Sequence, residues 1–215
     1  MRSLKIIAPV LMTLAMLLIT SCTGKEKGIQ QAREFVKAWN DTTVGALDKQ
    51  VATINQVLDS LTFKSPFTDA FIAEVKNVGD SVITLAANVL LKEPDEISQD
   101  LSNEIIDGLS EGKLNYTQAN AKIIQLFEVC DKLGNKELKD TFGATLDKQA
   151  ASLSIDKQMK VYSSATTPDK LGKALRADAQ TAGADKELIN KQVDALKGIY
   201  SEEDFKKFNE AYTND

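Results

Sequence analysis

Apolar residues recur every three or four positions along almost the whole chain after Ile29, and this spacing constrains the fold more than any other feature. A mean spacing close to 3.6 is typical of helices with one apolar face. The sequence contains no Asn-Gly or Asp-Gly turn between alternating apolar and polar runs, which would indicate a β-hairpin. The spacing therefore predicts an all-α fold, an elongated bundle of about eight helices.

A long helical hairpin is expected at the start of this region. Residues 29–61 form one long kinked helix or two consecutive helices, because Asn40 to Thr43 can either bend a helix or cap a new one. Ser65-Pro66 is a helix start, and the apolar stripe over 71–89 predicts one long helix after it. The hairpin consists of these two segments.

The later helices are bounded by clear start and stop signals. Starts are expected near Pro94, Thr117, Pro168, Asp185 and Ser201, and stops near Gly112, Gly134 and Gly183. A break near Ser152 or Ser154 is needed because the apolar stripe changes face there. We expect a single helical domain over 29–215, with possible halves at 29–112 and 113–215.

A four-residue pattern recurs along this region. "LDKQ" occurs at 47–50 and 146–149, with looser copies "IDKQ" at 155–158 and "INKQ" at 189–192. In each copy the Leu or Ile begins an apolar step, and neighbouring Asp and Lys on a helix do not face each other. We interpret the pattern as one turn of a core-facing helix. A duplicated helical hairpin remains the alternative.

The first residues have the order of a secretory signal. Arg2 and Lys5 precede an apolar run over 6–19, which ends in Thr20-Ser21-Cys22. The run is shorter than the roughly 20 residues that a membrane-spanning helix needs. A cleaved signal over 1–21 is therefore expected, and an ordinary secretory signal with an incidental cysteine is the alternative to the resemblance that follows.

The segment Ile19-Thr20-Ser21-Cys22 resembles the lipobox of bacterial lipoproteins. The resemblance implies that Cys22 is acylated and becomes the first residue of the mature protein. It also implies a bacterial cell envelope location, anchored by acyl chains in the outer membrane and facing the periplasm or the surface. Two or more chains hold a protein stably on a membrane. Residues 22–28 are expected as a polar tether.

Charge excludes one class of partner. Removal of Arg2 and Lys5 leaves 24 of the 26 basic side chains against 31 acidic ones, a formal charge of −7. Nucleic acids bind clustered Lys and Arg, so no nucleic-acid partner is expected. With Cys22 acylated, Cys130 is the single remaining cysteine and cannot form an intrachain disulfide. Its helical stripe predicts a buried thiol.

The chain contains no histidine, the commonest general base and metal ligand near neutral pH. This excludes Ser-His-Asp and Cys-His catalysis and most zinc sites. We expect no catalytic residue, no metal and no cofactor. Acid-base chemistry by two carboxyl groups is still permitted, but the 31 acidic residues do not single out a pair.

Aromatic residues are the remaining candidates for a binding face. Trp39, Phe71 and Phe127 are candidates for a ligand or partner face, although each suits the core equally well. We expect a non-enzymatic, lipid-anchored envelope protein that presents a helical surface to a protein or an envelope component. The alternatives are a lipoprotein that binds a small apolar ligand and an envelope-glycan hydrolase. The sequence leaves the oligomeric state open.

The lipobox makes a direct prediction. Cys22→Ala removes the thiol that would carry the acyl chains, so incorporation of labelled palmitate is expected to disappear and the protein to leave the membrane fraction. Metabolic labelling and fractionation measure both. The Cys130→Ala variant is the matched control and should stay labelled and membrane-bound. Retention of the label in Cys22→Ala would contradict the lipoprotein resemblance.

Overall fold

The computed structural model describes residues 23–62 and 64–214, and this part of the chain folds into eleven helices without a strand. The all-α prediction is confirmed, whereas the expected number of about eight helices is too low. None of the described helices is both long and apolar enough to cross a bilayer. The expected signal over 1–21 and the acylation site Cys22 lie outside the described residues.

The helices follow one another through short loops and form two compact units, the first ending at Lys92 and the second beginning at Glu93. This division lies before the helix that begins at Pro94 rather than after residue 112, the boundary considered for two halves. The helices are α1 (23–40), α2 (Ala46–Ser60), α3 (Ser65–Val78), α4 (Ser81–Leu91), α5 (Pro94–Ser110), α6 (Tyr116–Leu133), α7 (Lys136–Ala150), α8 (Ile155–Ala165), α9 (Pro168–Gln180), α10 (Lys186–Lys197) and α11 (Glu202–Thr213).

Of the two alternatives for residues 29–61, two consecutive helices are observed, whereas the one long helix expected after Ser65-Pro66 is divided into α3 and α4. The Asp41 carboxylate accepts a hydrogen bond of 2.8 Å from the Thr43 amide, and Gly45 has a φ of 79°, so α1 ends before α2 begins. The stripe over 71–89 is interrupted by Asp80, whose side chain accepts a hydrogen bond from the Ile83 amide and caps α4. The apolar spacing continues across this break and concealed it.

The expected polar tether is also different. Residues 23–28 are already helical and form the first turns of α1. Gly28 is buried because it packs directly on the backbone of α3. That contact keeps this charged segment helical, although its composition alone predicts a linker.

Most predicted boundaries of the later helices are confirmed, because they depend on local capping. Gly134 ends α6 with a φ of 70°, and the side chains of Asp185 and Ser201 accept amide hydrogen bonds at the starts of α10 and α11. The break between α7 and α8 falls at residues 151–154. Near the expected start at Thr117, Asn115 and Gln118 form a capping box that begins α6.

One contact brings two helices unusually close in the first unit. A Cβ atom at Gly28 in α1 would lie 2.5 Å from the carbonyl oxygen of Phe67 and 3.1 Å from the Cβ of Ala70 in α3. Farther along the same two helices, the Arg33 side chain pairs with Glu74 at 2.6 Å. The two helices therefore run in the same direction, and only glycine fits at the first crossing.

The same contact is repeated in the second unit. A Cβ atom at Gly172 in α9 would lie 2.5 Å from the carbonyl oxygen of Phe208 and 3.1 Å from the Cβ of Ala211 in α11. Each site lies in a group of three consecutive helices, a trio. A glycine early in the first helix of the trio lies against an aromatic residue of the third helix and against the alanine three positions after that residue. The trios α1–α2–α3 and α9–α10–α11 are thus built on one packing rule.

Helices α5, α6 and α7 form a third trio, whose first and third helices also pack on each other. Pro94-Asp95 and Pro168-Asp169 begin α5 and α9 in the same way, and Ser98 stands where α9 has Gly172. Ser98 is fully buried, its hydroxyl has no hydrogen-bond partner, and α5 packs extensively on α7. Ser98 is thus a small buried residue at the position along α5 that Gly172 has along α9.

The LDKQ pattern does not mark this repetition. The copy at 47–50 lies in α2, the second helix of its trio, whereas the copy at 146–149 lies in α7, a third helix. In all four copies the Leu or Ile is buried or half-buried and the next two residues are exposed. The prediction of a core-facing helical turn is confirmed, and the repeated trio is a separate feature.

Substitution of glycine by alanine is expected to have opposite effects at a closely packed position and at an open one. Gly172→Ala places a methyl group against the backbone of α11 and is expected to lower the free energy of unfolding by about 1–3 kcal/mol. Gly143→Ala, in the middle of α7, meets no atom within 4 Å and should raise it by about 0.5–1 kcal/mol through helix propensity. Urea unfolding measures both. A stabilising Gly172→Ala would show that the two helices are free to separate.

Candidate functional site

Two of the three aromatic candidates lie in the core of the first unit. The Phe35 ring lies between them, with centroid distances of 5.9 Å to Trp39 and 5.6 Å to Phe71. Phe71 is fully buried, and Trp39 is half-buried at the edge of the cluster. Phe71 therefore acts as a core residue, and Trp39 presents only part of its ring.

Phe127, the third candidate, lies in the second unit and borders an open groove. Its ring is half-buried and meets the Phe142 ring edge-on at a centroid distance of 6.1 Å. Lys139 Nζ lies 5.5 Å from the Phe127 ring centroid and is ion-paired with Asp131. The structure thus separates Phe127 from the aromatic cluster of Trp39 and Phe71.

The groove beside Phe127 has a volume of about 310 Å³ and is formed by helices α6 to α9. This volume lies at the lower end of the range for small-molecule sites, about 300–1,000 Å³. Most of its walls are apolar, and Asp147, Tyr162 and Thr166 supply polar side chains. The lining residues are Ile123, Phe127, Phe142, Gly143, Leu146, Asp147, Tyr162, Ala165, Thr166 and Leu171.

Gly143 keeps part of the groove open. It is a helical residue with no atom within 4 Å of its would-be Cβ, in contrast to Gly28 and Gly172. A glycine in a helix interior costs about 0.5–1 kcal/mol relative to alanine. At Gly143 no backbone crossing requires that cost, and the space left beside it belongs to the groove.

The polar side of the groove is formed by α7 and α8. Burial raises the pKa of the Tyr162 hydroxyl, and the negative charge of Asp147 raises it further. The Asp147 side chain itself is exposed. A carboxylate and a neutral phenol therefore face the same apolar space, and the phenol remains a hydrogen-bond donor at neutral pH.

Helix α8 ends at this groove. Its C-cap residue Thr166 is extended and, among the described helices, is the one whose amide donates no hydrogen bond back to the preceding turn. Ala165 and Thr166 at the carbonyl end of α8 both line the groove.

A second polar cluster lies around Tyr116 at the start of α6. Its hydroxyl donates a hydrogen bond of 2.5 Å to Asp204, and this bond lowers the pKa of that carboxyl group. The Tyr200 ring packs edge-on against Tyr116 at 5.2 Å, and burial raises the pKa of its unpartnered hydroxyl. This cluster ties α6 to α11.

The titratable groups with displaced pKa values do not resemble a catalytic acid. Hydrogen bonds from Thr43 and Thr167 lower the pKa of Asp41 and Asp169, just as Tyr116 does for Asp204. A glycosidase needs one carboxyl group whose pKa is raised by burial. No group of three potential metal ligands occurs among residues 23–62 and 64–214.

Cys130 in α6 has a buried thiol. It is 1% exposed, and burial raises its pKa to about 11 although the charge of Lys139 opposes this. At neutral pH the thiol is therefore protonated and acts as a small apolar side chain. The prediction of a buried Cys130 is confirmed.

Comparison with protein families, with curated protein sequences and with solved structures finds no match to this chain.

Four residues of the groove were not singled out from the sequence. Gly143 and Asp147 flank the apolar stripe of α7, and Tyr162 and Thr166 belong to or follow the rotated stripe of α8, so nothing local distinguishes them as groove residues. One signal was available. The rotation of the apolar stripe between α7 and α8 indicates a change of direction, and the groove is formed where the two helices diverge.

Proposed function

We propose that this chain is a non-enzymatic, lipid-anchored protein of the bacterial cell envelope that presents a helical surface to a protein or another envelope component. The Ile19-to-Cys22 segment, which resembles a lipobox, supports the anchor and the outer-membrane location. Whether the protein faces the periplasm or the cell surface is left to experiment. The described helices bear on the second half of the proposal, the helical surface.

The observation that carries this proposal is the packing contact shared by Gly28 and Gly172. It packs the first helix of each of these trios closely on the third, whereas Ile124 and Leu188, on second helices, stay exposed. Proteins built from repeated helical units commonly act by presenting such faces to partners. A repeated scaffold, in whose described part (23–62 and 64–214) no group of three potential metal ligands occurs, fits this role.

Exposed apolar side chains are the positions at which a partner is sought first. In the second unit, Ile124 in α6 is 48% exposed and Leu188 in α10 is 39% exposed, and each lies on the second helix of its trio. In the first unit, Val44 is fully exposed just before α2 and borders an open cleft of about 580 Å³. Protein interfaces are marked by contiguous apolar patches, and single exposed residues such as these serve as probes for one.

A site-specific crosslinking experiment tests the proposal. A photoreactive amino acid at Ile124 is expected to give a discrete adduct on intact cells, because this side chain projects from α6. The same amino acid at Glu128, one turn along α6 and also exposed, is the matched control and should give little of that adduct. Protease treatment of intact cells then determines the side of the membrane.

Two outcomes would contradict the proposal. One is an equal adduct pattern at Ile124 and Glu128, which would indicate random collision. The other is the absence of any adduct at Ile124, Leu188 and Val44 in intact cells that display the anchored protein.

We also propose a second candidate function, the binding of a small apolar ligand. The groove beside Phe127 favours it, since this groove has a suitable volume, apolar walls and a few polar groups in one place. The two functions are compatible, because Ile124, Leu188 and Val44 are not among the residues that line the groove. The pKa values of Asp41, Asp169 and Asp204 are lowered, so none of these three carboxyl groups suits the acid that the glycan-hydrolase alternative requires.

A further inference from the structure

The charges around the groove beside Phe127 indicate which class of ligand it suits, if it binds a ligand as proposed above. Asp147 is the one acidic side chain among its lining residues, and no lysine or arginine lines it. The nearest cation over an aromatic wall is Lys139, whose charge is paired with Asp131. The side chains that line the groove therefore carry a net negative charge.

The carbonyl end of α8 adds to this negative potential. A helix carries roughly half a negative charge at its C-terminal end, where the last carbonyl groups lack partners within the helix. Asn120 donates a hydrogen bond of 2.7 Å to the carbonyl of Ser164, but the Thr166 amide closes no turn behind it. Ala165 and Thr166 bring this end of α8 to the groove. Cations are favoured at such a position.

The aromatic side chains in the walls of the groove also favour a cation. Phe127 and Tyr162 are both half-buried, so each ring offers part of its surface to the groove. The face of an aromatic ring attracts cations within about 6 Å of its centroid. The position of Lys139, 5.5 Å from the Phe127 centroid, shows that this ring already accepts an ammonium group.

We infer that the groove binds a small organic cation, an ammonium group on an apolar body. The apolar body would lie against Phe127, Leu146 and Leu171, and the ammonium group would lie near Asp147 and the end of α8. A volume of about 310 Å³ limits the ligand to roughly one ring with a short chain. An anionic ligand of the same shape would meet the carboxylate and the helix end with the wrong charge.

Three probes of equal shape test this inference. The full chain in phosphatidylcholine nanodiscs is titrated calorimetrically with 4-phenylbutylamine, 4-phenylbutanol and 4-phenylbutyrate, with empty nanodiscs as the blank. We expect the amine to bind about five- to tenfold more tightly than the alcohol, with the carboxylate weakest. Raising the salt concentration should weaken the amine alone.

Two pairs of variants locate the effect. Asp147→Asn should lower the affinity for the amine to that for the alcohol, whereas Asp140→Asn, an exposed aspartate on the same helix α7 outside the groove, should leave it unchanged. Gly143→Leu fills open space in the groove and should abolish binding of all three probes, whereas Gly143→Ala should retain most of it. Circular dichroism confirms that each variant is folded.

The outcomes separate this inference from the proposal beneath it. Equal affinities for amine and alcohol, or an Asp147→Asn variant that binds the amine as well as the unchanged chain does, would overturn the cation preference and leave ligand binding in place. Absence of binding by any probe, or full binding by Gly143→Leu, would overturn both.

Discussion

At Gly28 and at Gly172 two helix backbones come so close that a methyl group does not fit between them, and the order of the surrounding helices follows from this contact. Because the first and third helices of a trio touch, the second helix must return the chain along their outside. The aromatic residues Phe67 and Phe208 are then fully buried beside the crossing. Buried Ser98 has the corresponding position in the middle trio, with a small side chain in place of glycine.

The groove beside Phe127 shows what happens where this close packing is relaxed. A Cβ atom at Gly143 would meet open space, and α8 ends at Thr166 without an amide hydrogen bond back to its last turn. The space is lined by apolar side chains, while Asp147 and the carbonyl end of α8 supply negative charge. A fold that is tightly packed at its helix crossings thus leaves a largely apolar recess with an acidic side chain in its second unit.

Local signals in the sequence predicted the helical class and most of the later helix ends, since caps such as Asp185 and Ser201 act through neighbouring residues. They failed where tertiary contacts decide. Asp80 interrupts an apolar stripe that continues through it, and α1 includes residues 23–28 because Gly28 packs on α3. The groove depends on residues of four helices, of which the sequence analysis singled out Phe127 alone as a binding candidate. The most visible repetition, LDKQ, marks amphipathic turns and is out of register with the repeated trio.

A small residue holds the close helix crossing in the trios of Gly28 and Gly172, and the buried Ser98 has the same position along α5 in the middle trio. The need for a small residue at this position is measured most directly by the difference in free energy of unfolding between Ser98→Ala and Ser98→Leu. Alanine is expected to be tolerated or stabilising, because it removes a buried hydroxyl without a partner, whereas leucine is expected to cost about 1–3 kcal/mol, because its larger side chain does not fit a fully buried position. Equal stability of the two variants would contradict the need for a small residue there.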